Sequence, residues 1–209
     1  MNNLNHSNNK RIVHNTILLY FRMLFIMMIS LYTSREVLKI LGVEDFGIYN
    51  VVAGIVLMLG FLNNAMTAAV QRYTSFELGR GETSKLHMVF CMSVTIHIVL
   101  SCIVFLLAET IGLYILLEYL QIPSERMFAA IVVYHCALFS FVVNILQVPY
   151  MACIISHEKM GVYAIGTIAD SCAKLFGIIL LSYIQGDKLI YYGIILLIVS
   201  LFVSFYYRL

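Results

Sequence analysis

Six apolar blocks, each about 20 residues or longer, follow one another along the chain: 12–34, 46–70, 88–116, 128–149, 161–183 and 189–207. Wound into a helix, a run of that length matches the ~30 Å hydrocarbon core of a bilayer. The blocks are continuous rather than alternating, so they predict helices and not the strands of a membrane barrel. With 62% hydrophobic and 11% charged residues, against about 25% charged in soluble domains, the chain has too little polar surface to cover a water-soluble core. The expected class is an all-α integral membrane protein with six transmembrane helices.

Two of these blocks carry charges near their middles. Arg22 sits near the centre of the first, and Asp170 and Lys174 straddle the centre of the fifth. A charge at that depth costs roughly 2.5–3.5 kcal/mol on insertion scales, so such side chains face a polar interior and often mark a transport path.

Helical phase groups further polar residues with them. In the first block Arg11, Asn15, Arg22 and Thr33 fall within about 40° of one another, and in the second Asn50, Gly54 and Asn64 within about 80°. The fourth block offers Ser140, Asn144 and Gln147, and the fifth Thr167, Asp170, Ser171 and Lys174 within about 100°. Four of the six helices therefore pair a narrow polar face with a broad apolar one. Converging faces make a polar cavity; alternatively, the same residues act as hydrogen-bonding glue between helices, at about 0.6–2 kcal/mol each. Asp170 and Lys174, at i,i+4, can satisfy each other. Arg22 has no acidic residue on its own helix; Asp170 across the bundle is one candidate partner. Summed, the three leave one surplus positive charge, which suits an anionic substrate because the planar Arg fork matches phosphate oxygens.

The connectors are read as short: an amphipathic stretch 35–45 with Gly42 as a helix stop, a polar loop 71–85 with Gly79 and Gly81 as breakers, a link 118–126 holding Pro123, and tight links at 156–160 and 185–188. Residues 1–11 form a polar, Asn-rich N-terminal segment, and the first block is too long for a signal-peptide core. Lys and Arg number seven on one side (Lys10, Arg11, Arg72, Arg80, Lys85, Lys159, Arg208) and four on the other (Arg35, Lys39, Arg126, Lys188), so both termini are expected in the cytoplasm. The last block ends almost at Leu209, as expected of one half of a longer protein.

The five cysteines show no C-x-x-C pair and are expected to be reduced, buried small hydrophobes. The six histidines form no H-E-x-x-H motif, and His97 in mid-span reads as a structural histidine. No nucleophile elbow, Walker loop or Asp-rich Mg²⁺ pair is present, so no residue points to an enzyme or a cofactor.

The stretch Arg22-Met-Leu…Ser30-Leu-Tyr-Thr-Ser-Arg35, followed by Leu41-Gly-Val-Glu-Asp-Phe-Gly-Ile-Tyr-Asn50, resembles the N-terminal half of Wzx-type polysaccharide (O-antigen, lipopolysaccharide) flippases. These belong to the multidrug/oligosaccharidyl-lipid/polysaccharide exporter superfamily. Gln71-Arg72-Tyr73, Phe76-Glu-Leu-Gly-Arg-Gly81, Val148-Pro-Tyr150 and His157-Glu-Lys159 are similar to the same family. The resemblance runs from about Lys10 to the end and is most specific between Arg35 and Arg80; the later helices match in hydropathy more than in motif.

The resemblance implies one six-helix lobe of a two-lobed, MATE-like transporter with a cationic central cavity in the bacterial inner membrane. It implies flipping of undecaprenyl-pyrophosphate-linked oligosaccharide by alternating access. A second lobe, in a missing C-terminal half or a partner chain, would complete the cavity. On this reading Arg22 and Lys174 attract the pyrophosphate, Asp170 positions Lys174 or takes part in coupling, and Asn15, Asn50, Asn64 and Asn144 offer hydrogen bonds. Partners are the lipid-linked oligosaccharide and membrane lipids, with no nucleic acid and no cofactor. The rivals are a non-transporting membrane scaffold or assembly subunit and, more distantly, a polyprenyl-phosphate transferase, which would need an acidic metal cluster.

Overall fold

A computed structural model describes the backbone of residues 2–209 and all their side chains except those of residues 2–12, 14, 15, 61 and 62. Seven α-helices are joined by short turns: α1 (Asn2–Leu57), α2 (Phe61–Arg80), α3 (Thr83–Leu107), α4 (Leu113–Glu118), α5 (Met127–Ser156), α6 (Met160–Leu181) and α7 (Lys188–Arg208). A 3₁₀ turn Met58–Gly60 links α1 to α2, a π turn Ala108–Gly112 links α3 to α4, and a 3₁₀ turn Ser124–Arg126 leads into α5. Among the described residues there is no strand.

Among the described residues, five helical runs are long and apolar enough to cross a membrane, the first extending over Thr16–Arg80. That run reaches about 98 Å at 1.5 Å per residue, three times a bilayer core. The reading of two spans within it rests on Gly42, where α1 is kinked. Gly42 has φ +82° and ψ 172°, a region that side-chain-bearing residues essentially do not enter. The two rods on either side of it stand for the first two apolar blocks.

One connector and two spans differ from the sequence reading. Residues 71–80 are helical, and α2 ends only where Gly81 takes a left-handed φ of +70° and donates its N–H to the Leu78 carbonyl. A polar stretch can stay helical where it leaves the apolar layer, so composition marked the wrong boundary. Pro149 does not end α5, which continues to Ser156. The third block is not one α-helix but passes through the π turn.

Helix α5 is the hub and packs against α1, α2, α3, α6 and α7. Its small Ala129 and Ala130 and its larger Val133, Tyr134, Leu138 and Ile145 are buried, meeting Val52 of α1, Ile178 and Leu181 of α6, and Leu189 of α7 in one core. Outward, the bundle exposes Phe21, Met28 and Leu31 on α1, Phe176 on α6, and Phe202 and Phe205 on α7. A shell of large apolar groups is suited to lipid rather than water. Cys91, Cys102 and Cys172 belong to that shell, whereas Cys136 is buried. The expectation that all five cysteines lie in the core is thus corrected; lipid tails receive a small apolar thiol as readily as a core does. All five are free.

Arg126 ties one end of the bundle together. Its Nη2 lies 3.0 Å from Asp45 Oδ2, just past the Gly42 kink, and its Nη1 lies 3.0 Å from Asp187 Oδ2. Asp187 also caps α7 by accepting from the Leu189 N–H at 3.1 Å. At the other end the Ser156 hydroxyl donates to the Gln71 carbonyl at 3.4 Å.

Candidate functional site

A cavity of about 460 Å³ opens between α1, α5, α6 and α7. Its polar wall comes from Ser140, Asn144 and Gln147 on α5, Thr167, Asp170 and Lys174 on α6, and Ser200 and Tyr207 on α7, against an apolar floor that includes Ala53, Val56 and Leu196. The α5 and α6 stripes therefore converge, as their helical phase implied.

Lys174 Nζ lies 2.8 Å from Asp170 Oδ2. The pair is local, spaced by one turn of α6. Arg22 of α1 approaches the same face from outside the cavity lining. Its Nη1 donates to Thr167 Oγ1 at 3.5 Å, and its guanidinium carbon stands 4.6 Å from the centroid of the Tyr163 ring. Arg22 Nε is buried with no hydrogen-bond partner among the described residues. A ring face and a hydroxyl ease a guanidinium but do not neutralise it. With Asp170 and Lys174 cancelling, Arg22 supplies the surplus positive charge at the cavity edge.

The α5 wall is neutral. Gln147 is 5% exposed; its Nε2 donates only to the weak acceptor Met151 Sδ, at 3.4 Å, and its Oε1 is buried without a partner among the described residues. Asn144, on the same face, is exposed. Such amides pair with hydroxyl donors and acceptors alike.

The other sequence candidates lie elsewhere. Asn50 donates from Nδ2 to its own helix, to the Phe46 carbonyl at 2.7 Å. Asn64 is exposed on α2, and neither residue lines the cavity. On α1 the cavity is lined by Tyr49 and Ala53, a face that Asn50 does not share; for Asn64 the 3₁₀ turn Met58–Gly60, which advances about 120° per residue instead of 100°, also shifts the phase. The side chains of Arg11 and Asn15 lie outside the described residues. His97 is buried, its Nδ1 donating to the Ser93 carbonyl at 2.7 Å. Among the described residues no group of three or more His, Cys, Asp or Glu could hold a metal ion.

Sequence reasoning missed α7. Ser200, Ser204 and Tyr207 are all buried. Ser200 donates to the Ser140 carbonyl at 3.3 Å and Tyr207 to the Tyr163 carbonyl at 3.3 Å. Their i, i+4, i+7 spacing was the available signal.

In fold, the chain is similar to a multidrug resistance MATE family transporter of the MOP superfamily, solved in an outward-facing conformation, with a TM-score of 0.79 and 13% identity. The match covers 95% of this chain and 44% of that one, so the chain spans less than half the length of the transporter it matches. No protein-family model and no curated protein matches the sequence. The architecture is an all-α, multi-pass membrane bundle corresponding to one part of a MATE transporter.

Proposed function

We propose that this bundle is one lobe of a membrane transporter that flips an anionic, lipid-linked oligosaccharide, with undecaprenyl pyrophosphate as the carrier, across the bacterial inner membrane for polysaccharide synthesis. The observation that carries the proposal is Arg22, a guanidinium at the cavity edge that meets Thr167 and the Tyr163 ring but, among the described residues, no carboxylate. Phosphate oxygens are its natural complement. The neutral amides of Asn144 and Gln147 suit the hydroxyls of a sugar, and the Asp170–Lys174 pair on the same wall adds polar contacts with no net charge. A second six-helix lobe would face the cavity, both ends of this chain would be cytoplasmic, and the polyprenyl tail would stay in lipid.

The test is Arg22→Gln in the intact protein, with lipid-linked sugar export followed in cells and expression checked in the membrane fraction. Loss of export at normal expression supports the proposal. Normal export reduces Arg22 to helix glue and moves the scaffold reading ahead.

A further inference from the structure

Away from the cavity a second titratable pair stands among the apolar helices. Glu109, in the π turn Ala108–Gly112, and His135, on α5, face each other with Oε1 3.3 Å from Nε2. Both belong to runs able to cross a membrane, Thr83–Glu118 and Ser124–Ser156. His135 stands about 12 Å along α5 from Met127 at 1.5 Å per residue. Ionisable groups at such depth are costly and are characteristic of proton relays.

The hydrogen bonds dictate the protonation of this pair. His135 Nδ1 lies 2.7 Å from the Ile131 carbonyl oxygen. A carbonyl only accepts, so Nδ1 carries hydrogen, and in a neutral imidazole Nε2 is then a bare acceptor. An ionised Glu109 is also an acceptor only. Two acceptors facing at 3.3 Å repel each other, so the contact is attractive only when the pair holds one proton. That proton makes either an imidazolium–carboxylate or an imidazole–carboxylic acid.

The surroundings link this proton to helix packing. Tyr134, whose ring stands edge-on to His135 at 5.7 Å between centroids, donates its hydroxyl to the Ala108 carbonyl at 2.6 Å. The close approach needs Gly112, since a Cβ there would meet the Tyr134 hydroxyl. From α1 the neighbour of Gly112 is the apolar Ile55. Among the described residues the polar and ring contacts of the imidazole are Glu109 from the π turn, the Ile131 carbonyl and the Tyr134 ring of α5 itself. π turns concentrate at functional sites. On the other side of α5, Val133, Ala137 and Ser140 line the cavity.

We infer that Glu109 and His135 form a proton-binding site that closes the seam between α3 and α5 when occupied and loosens it when empty. With the proton the pair attracts and carries no net charge; without it a negative charge remains and two acceptors face each other. A loosened seam frees α5 to shift, and with it the cavity wall that α5 carries. Only this last link, to transport, rests on the function proposed above.

The experiment uses intact protein in lipid nanodiscs with ¹⁵N-labelled histidine. In the wild type, His135 should carry hydrogen on Nδ1, with one further proton on Nε2 by NMR or on Glu109 by its infrared carboxylic acid band. Glu109→Gln should leave a neutral, Nδ1-protonated imidazole and abolish that band. A wild-type His135 with bare Nδ1, or a neutral imidazole facing an ionised Glu109 at acidic as well as at basic pH, overturns the site. In proteoliposomes given a pH gradient, wild-type transport should respond to the gradient and Glu109→Gln should transport without responding. A wild type indifferent to the gradient overturns the link to transport. A wild type that moves no lipid-linked sugar defeats the proposed function instead, and the spectra still decide the site.

Discussion

The Lys174 ammonium lies 2.8 Å from Asp170 Oδ2, one helical turn away on the cavity face of α6. This local pairing sets the electrostatics of the site, because it removes Asp170 as the partner for Arg22 across the bundle. The excess positive charge therefore belongs to α1, and α6 contributes a neutral dipole. A single substitution in the pair changes that balance by one charge, whereas a double substitution restores it.

For the pair itself, Lys174→Met leaves Asp170 ionised and alone at the cavity and should lower thermal stability in detergent. Asp170→Asn/Lys174→Met should recover most of the loss. Both groups are partly exposed, so the coupling should be about 0.2–1 kcal/mol, as for other solvated pairs. Strict additivity in the double-mutant cycle would show that the pair does not interact.

At the kink, Gly42→Ala forces a Cβ into the positive-φ conformation that divides α1. The expected cost is about 1–3 kcal/mol, read as a lower denaturation midpoint of the purified protein. Stability equal to the wild type would mean that the kink is not held in this geometry.

The π turn makes a more specific prediction. Gly112→Ala places a methyl against the Tyr134 hydroxyl and should cost about 1–3 kcal/mol by overpacking. Tyr134→Phe removes the obstructing oxygen but also its bond to Ala108. The double variant should therefore be more stable than the sum of the single losses, since contacting sites are not additive. Simple addition in unfolding experiments would contradict the contact.

At the tied end of the bundle, Arg126→Met leaves the buried Asp45 carboxylate without its cation. An unmet charged hydrogen bond of this kind costs about 1.5–3 kcal/mol. The change should also speed hydrogen exchange at the start of α7, because Arg126 steadies the Asp187 cap. Unchanged exchange there would separate the cap from the clasp.

What the sequence made legible follows from helix regularity. The α5 and α6 stripes could be read because each lies on an uninterrupted helix, where 100° steps hold from end to end. The stripe drawn through Asn50 and Asn64 crosses the 3₁₀ turn at Met58–Gly60, and its phase did not survive. Ser200 and Ser204 were passed over because two hydroxyls scarcely dent the hydropathy of α7. The Arg126 clasp joins connectors 81 and 61 residues apart in sequence, and no local pattern announces such a meeting. His135 and Glu109 sit on different helices, each an isolated polar residue until packing faces them.

The central claim is that Arg22 receives the phosphates of a lipid carrier. The direct measurement is binding of a short-chain polyprenyl pyrophosphate, with the matching polyprenol as control, to intact wild-type and Arg22→Gln protein in nanodiscs. The account predicts that the wild type prefers the pyrophosphate and that Arg22→Gln weakens its binding by about tenfold or more, or about 1.4 kcal/mol, while polyprenol binding stays unchanged. Equal pyrophosphate affinity in the two proteins would contradict it.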